Sequence, residues 1–146
     1  MKNVKLLLAG AAMLATSSSA FAITVTDNFN ATITIVDECK ITTLEDLNFG
    51  SDGVLDTTLT DTAQVGVICS RGTAYTMSFD SAVSDLTIND TMNNGSNTVS
   101  YTAVLSAAGA TGNGQEQTYQ ISGTVPPQAT PPAGVYTDTQ TLYVTY

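Results

Sequence analysis

The 146-residue chain contains no histidine and no tryptophan. Without imidazole there is no Ser-His-Asp or Cys-His catalytic set and no histidine-based metal site. Basic residues are almost as scarce: Lys2, Lys5, Lys40 and Arg71 stand against thirteen acids, a net charge of −9. Such a chain repels nucleic acid and anionic lipid head groups, and it has no Lys/Arg cluster to overcome that repulsion. A phosphate-binding loop is missing too, because neither a helix start nor a lysine follows Gly72, Gly112 or Gly114. No apolar run is long enough to span a bilayer. No repeat of 20–50 residues marks a solenoid.

The basic residues that exist are unevenly placed. Lys2 and Lys5 precede the apolar run Leu6 to Leu14, and Ala20-Phe21-Ala22 follows it. That order reads as a secretory leader over residues 1–22, with a mature chain starting at Ile23. A helical anchor is the other reading, and the run is short for one. The remaining 124 residues suit one domain with a real core. Only Lys40 and Arg71 then face the thirteen acids, a net charge of −11, which reads as solubility outside the cell. An exported chain with two cysteines, Cys39 and Cys69, most often pairs them; free thiols or a metal pair are the alternatives. Pairing closes a loop of about thirty residues, worth roughly 3–4 kcal/mol.

Beyond residue 22 the signal is strand. Ile23, Val25, Phe29, Ala31, Ile33 and Ile35 share one parity, interrupted only by Asp27. Leu47 to Gly50 is a short extended piece, Ser51-Asp52-Gly53 a turn, and Leu55 to Thr60 a threonine-rich strand. Val65, Val67 and Cys69 alternate, Arg71-Gly72 turns the chain, and Tyr75, Met77 and Phe79 share the next face. Residues 80–97 are loose and polar, with Asn94-Gly95 as a tight-turn signal. Val99, Tyr101, Ala103 and Leu105 form another strand, Ala107 to Gly114 a loop, and Tyr119, Ile121, Gly123 and Val125 a further strand. All four prolines lie between Pro126 and Pro132, in a loop, since proline cannot donate to a ladder. The last strand, Tyr136 to Tyr146, puts Leu142, Val144 and Tyr146 on one face and Thr141, Tyr143 and Thr145 on the other. Six or seven short strands at this spacing predict an all-β sandwich.

Few residues offer chemistry. Glu45 with Asp46, or Asp52, Asp56 and Asp61, are the paired carboxylates; their spacing fails the EF-hand, and they read as solvated loop acids with a weak calcium site as the alternative. Three glycosylation sequons, at Asn30, Asn89 and Asn94, arise readily in this composition. Tyr101, Tyr119 and Tyr136 read as core residues, with an aromatic sugar platform as the sharper alternative.

Four pieces in order carry a resemblance: Leu47-Asn48-Phe49-Gly50, the run Val67 to Thr76, the run Tyr119 to Pro127, and Pro132 to Thr139 leading to Thr145-Tyr146. Together they resemble the spore coat protein U domain family, which includes major subunits of archaic chaperone–usher pili. The resemblance implies an incomplete immunoglobulin-like sandwich completed by donor-strand exchange. In that arrangement residues 23–36 are a donor extension, with Phe29, Ala31, Ile33 and Ile35 as its groove-filling side chains. Residues 37–146 are the sandwich, Cys39 and Cys69 its disulfide, and Leu142, Val144 and Tyr146 the acceptor strand. Gln140 stands where members usually carry an aliphatic residue.

The implied partners are other copies in a head-to-tail polymer, a periplasmic chaperone, an outer-membrane usher, and tip or minor subunits. The implied route runs through the periplasm to the cell surface, and the implied role is adhesion and biofilm formation. No cofactor, metal, catalytic residue, nucleic acid or small-molecule substrate is expected. A tip adhesin is the competing reading, but one domain with an extension favours the shaft. An outer or spore coat protein is a structural variant of the same reading. A secreted hydrolase lacks a base, a nucleophile set and a metal set. Residues 23–36 have a second reading as the first strand of their own domain.

Overall fold

The computed structural model describes residues 22–81 and 85–146. The leader reading falls outside these residues, apart from Ala22. The chain divides into two units, Met1–Ile33 and Thr34–Tyr146. In the first, residues 22–33 form no strand. Their alternation is a strand pattern, yet a strand needs a ladder partner to exist in water. Ile23, Val25, Phe29 and Ile33 are each at least 85 % exposed.

Every strand pairing among the described residues of the second unit is antiparallel. Its strands are β1 (Cys39–Leu44), β2 (Leu59–Cys69), β3 (Ala74–Ser78), β4 (Thr87–Asn94), β5 (Asn97–Leu105), β6 (Gly109–Thr111), β7 (Glu116–Val125) and β8 (Tyr143–Thr145). They form a five-stranded sheet, β1-β2-β7-β5-β4, and a three-stranded sheet, β6-β3-β8. The order β1-β2-β7-β5 follows the A-B-E-D sheet of an immunoglobulin fold, and β3-β8 follows C-F. Among the described residues no strand pairs with the second edge of β8, the side on which that fold carries its last strand. The fold is thus an immunoglobulin-like sandwich with one such edge open.

Alternation made the core. Ala63, Val65, Val67 and Cys69 of β2 are buried, as are Val99, Tyr101, Ala103 and Leu105 of β5, Ile121 and Val125 of β7, and Tyr75 and Met77 of β3. Each large apolar side chain among them contributes about 1.5–3 kcal/mol by leaving water. The opposite parity faces solvent in ladder rows: Thr60–Thr124–Thr102, then Thr62–Ser122–Val104, then Gln64–Gln120, the last flanked by Ser106.

The Asn94-Gly95 signal becomes the β4–β5 hairpin, with Asn94 opposite Asn97 and Gly95 at φ +61°, a conformation glycine adopts without strain. Cys39 and Cys69 face each other across the first pair of the β1–β2 ladder and are bonded, S–S 2.04 Å. Ser70 N–H donates to Glu38 C=O at 2.9 Å, which makes the cysteines a non-hydrogen-bonded pair, the kind whose Cα atoms approach most closely; here they are 4.1 Å apart.

Four expectations change. Ala107 to Gly114 is not all loop, because Gly109–Thr111 pair with β3 as strand β6. Residues 80–97 contain the eight-residue strand β4, which is not loose chain. Of Leu55 to Thr60, only Leu59 and Thr60 join a strand. The final strand is not eleven residues long. Thr137 pairs with Asn93 at the edge of the five-stranded sheet, while Tyr143–Thr145 pair with β3 in the other sheet. The segment crosses between sheets, so only its ends can enter ladders.

Candidate functional site

An open groove of about 580 Å³ lies between the crossing segment and the loop that follows β1. One wall is Leu44 to Phe49 and the other Tyr136 to Leu142, with Ala63, Ile88, Met92, Tyr101, Ala103 and Ile121 between them.

The first wall is held by backbone and packing. Glu45 N–H donates to Gln64 C=O at 3.0 Å, and Asn48 N–H donates to the Asp61 carboxylate at 2.6 Å. Leu47 and Phe49 then lie directly over Gly123, where a Cβ would come within 2.8 Å of each side chain. The glycine therefore lets this wall sit on β7. The Phe49 ring tilts against Tyr101, centroids 6.3 Å apart.

The second wall is held by side chains. Tyr101, buried in β5, donates its hydroxyl to Asp138 Oδ2 at 2.8 Å. Gln140 Nε2 donates to the same oxygen at 2.7 Å and to Asp90 Oδ2 at 2.9 Å. Burial and the bond to Asp138 push the Tyr101 hydroxyl well above its usual pKa. Burial alone would raise Asp138, but the bonds from Gln140, Tyr101 and Thr139 N–H outweigh it and hold its carboxyl below the usual range. One amide thus bridges two carboxylates and ties the crossing segment to β4, while the Tyr101 hydroxyl ties it to β5.

The groove can therefore take an extended chain. Its apolar centre would receive alternating side chains, and Asp138–Leu142, which lie outside any strand, lead directly into the unpaired edge of β8. Among the described residues no group of three His, Cys, Asp or Glu could hold a metal.

The expected site residues fall as follows. Leu142 is buried and lines the groove, Val144 is half-buried, and Tyr146 is 59 % exposed although it shares their parity. Thr141, Tyr143 and Thr145 on the other parity are exposed. Phe29, Ala31, Ile33 and Ile35 are all exposed. Of the three tyrosines, Tyr101 and Tyr136 line the groove, whereas Tyr119 is apart, its hydroxyl 2.5 Å from that of Tyr75. Asp52 accepts Val54 N–H in a local turn and Asp61 holds Asn48, so these acids serve backbone.

The profile of the Spore Coat Protein U domain matches residues 25–107, a little over half of the chain. The chain belongs to the Spore Coat Protein U domain family. This is a family of structural pilus and coat components that associate with surfaces. No curated protein matches the chain. The match takes in the exposed segment from Val25 onward and the strands through β5. It stops before Tyr119 to Pro127 and Pro132 to Thr139, which also carried the resemblance.

Sequence reasoning missed Ile88, Met92 and the Asp90–Gln140–Asp138–Tyr101 network. Gln140 stood out as a departure, and that was the available signal. Its partner Asp90 lies fifty residues away, and no periodicity links the two.

Proposed function

We propose that this chain is a structural subunit of a surface filament assembled by the chaperone–usher pathway. Its groove receives a strand from one neighbouring copy, and its segment Ile23–Ile35 is supplied to another. One observation carries the reading: a chain with an open groove of apolar centre beside an unpaired strand edge also bears large apolar side chains, exposed and all on one parity of an extended segment. Phe29, Ile33 and Ile35 are 90 %, 85 % and 75 % exposed. Burying those three side chains would release roughly 5–9 kcal/mol before the costs of association. Edge pairing adds directionality, and a head-to-tail contact that does not close on itself makes a filament. A periplasmic chaperone would cover the edge until the next subunit arrives, which avoids aggregation. Filaments of this kind at the cell surface serve adhesion and biofilm formation.

The test uses a subunit lacking residues 23–35 and a labelled peptide spanning 23–36. The peptide binds the truncated subunit, and Ile33→Asp weakens it at least tenfold, because a charge in an apolar groove costs several kcal/mol to desolvate. In cells the truncated subunit is secreted but does not polymerise. Normal filament yield from it would rule out donation.

A further inference from the structure

We propose that consecutive copies of this chain also meet end to end, with Arg71 of one copy docked against Asp52 and Asp56 of its neighbour. The contact rests on the donor reading above and lies outside the groove.

The compact unit has two unlike ends. At one end Cys39 pairs with Cys69, and the Arg71-Gly72 turn leads β2 into β3. The chain from residue 34 onward is tied to the same end: Ser70 Oγ donates to Val36 C=O and Ser70 N–H to Glu38 C=O, both at 2.9 Å. At the other end Leu59 pairs with Val125, and the 50–58 loop lies along the loop that follows β7. Gln128 N–H donates to Leu55 C=O there, and Leu55 N–H to Thr130 Oγ1, each at 2.9 Å. The ten residue steps of β2, about 33 Å, separate the two ends.

Charge divides the same way. Beyond residue 22 the cations are Lys40 and Arg71, and both stand at the first end. Lys40 is paired with Glu38 at 3.2 Å, Asp37 accepts the Thr73 hydroxyl at 2.8 Å, and Glu116 accepts the Thr42 hydroxyl. Arg71 is exposed at its turn and has no hydrogen-bond or ion-pair partner among the described residues. The 50–58 loop carries Asp52 and Asp56 and no cation. Both acids are exposed. Asp52 Oδ1 accepts Val54 N–H at 3.2 Å, and the Asp56 carboxylate has no partner among the described residues. One end thus offers a planar guanidinium with its donors unused, and the other offers carboxylates with acceptor sites to spare.

Strand direction brings these ends together. β3 leaves the Arg71 end and β8 is antiparallel to it, so β8 runs toward that end, with Tyr143 opposite Ser78 and Thr145 opposite Thr76. Every strand pairing among the described residues is antiparallel, the more stable arrangement per residue. A donor added to β8 in the same sense runs the other way and delivers its last residue, Ile35, at the end with the 50–58 loop. From Ile35 to Cys39 is four residue steps, about 14 Å at full extension. The donor copy's Arg71 end therefore faces the acceptor's Asp52 and Asp56. A donor running parallel to β8 would instead bring the acceptor's Arg71 end against the donor's own. An exposed ion pair adds little affinity, so this one acts on the rate and orientation of docking, and it weakens as salt rises.

The test is a zero-length cross-link. In Arg71→Lys the charge stays and an amine takes the place of the guanidinium, so a carbodiimide can join it to a carboxylate in contact. Applied to the mature protein, it links position 71 to Asp52 or Asp56, read by mass spectrometry of the digest. These positions are too far apart within one copy, so the link joins two copies. Polymerisation, followed by light scattering, slows about tenfold at low salt in Arg71→Glu and in Asp52→Lys with Asp56→Lys. The slowing fades at high salt, all three substitutions together restore the rate, and circular dichroism shows every variant folded. Links from position 71 only to carboxylates of its own end, no link at all, or charge variants that polymerise at the wild-type rate overturn the proposal. Peptide 23–36 carries neither Arg71 nor the 50–58 loop, so it binds the groove of Arg71→Glu as it binds that of the wild type. A peptide that does not bind refutes donation, and the cross-link still decides the contact.

Discussion

Gly123 is the position where one atom separates stability from groove shape. It is not in a left-handed conformation, so alanine or valine fits its backbone and only packing changes. An added Cβ would lie 2.8 Å from both Leu47 Cδ1 and Phe49 Cζ. These are side-chain ends, and they can withdraw by rotation, carrying the first wall of the groove outward. For Gly123→Ala, overpacking costs about 1 kcal/mol, while the stiffer unfolded chain returns about 0.4–1 kcal/mol. The unfolding midpoint in urea should therefore stay within experimental error of wild type. The groove should still bind the 23–36 peptide several-fold more weakly, because its wall has moved. Gly123→Val adds two methyl groups that meet the same side chains, and overpacking then costs about 1–3 kcal/mol. The assay is urea unfolding with peptide titration on the same samples. Wild-type stability for Gly123→Val, or wild-type peptide affinity for Gly123→Ala, would show that the Leu47–Phe49 wall does not rest on Gly123 as described.

Val144 is half-buried opposite Met77, whereas Thr145 is exposed. Val144→Asp should thus lower the periplasmic level of the subunit sharply and Thr145→Asp only slightly; equal levels by immunoblot would refute the facing assignment. Replacing Cys39 and Cys69 with serine should cost roughly 3–4 kcal/mol for the loop of thirty residues, read as a lower urea midpoint at unchanged pH. Asp138 titrates lower in the folded than in the unfolded state, so its contribution is present above the ordinary carboxylate pKa and is lost as pH falls through the folded value. The stability gap between wild type and Asp138→Asn should accordingly narrow below about pH 4. Tyr75 and Tyr101 are raised chiefly by burial, so their contribution is full below the ordinary tyrosine pKa and is lost as pH climbs above about 10. Tyr75→Phe should delay alkaline unfolding, followed by circular dichroism from pH 9 to 12.

The strands that could be read in advance were those with one dry and one wet face. β2, β5 and β7 alternate cleanly because their inner residues meet the opposite sheet and their outer residues meet water. β4 hid because its inward series, Ile88, Asp90 and Met92, has a carboxylate in the middle. That carboxylate is tolerated where the sheet edge meets the open groove, and Gln140 binds it. The walls were harder still. Leu44 to Phe49 follows no period, since contact with Gly123 positions it. Tyr136 to Tyr146 keeps a period of two while leaving one sheet for the other, so alternation could reveal its facing but not its partners. The disulfide needed only the residue count and the expected export.

The place of that disulfide follows from the proposed assembly. If residues 23–35 sit in a neighbour's groove, tension on the filament enters the compact unit along residues 34–39. The first ties there are hydrogen bonds: Ser70 Oγ to Val36 C=O at 2.9 Å, Thr73 Oγ1 to Asp37 Oδ1 at 2.8 Å, and Ser70 N–H to Glu38 C=O at 2.9 Å. Each is worth about 1 kcal/mol net and can yield in turn. The next tie is Cys39–Cys69, at the first pair of the β1–β2 ladder, where peeling of β1 would begin. A covalent bond at that point passes the pull into β2, which is paired with β7 from Leu59 to Ile68 and is loaded along its length. The far end of β1, Leu44, is also part of the groove wall that would grip a neighbouring subunit's strand in that assembly. Anchoring β1 at Cys39 thus keeps tension on a subunit's own extension from opening the groove in which it holds its neighbour.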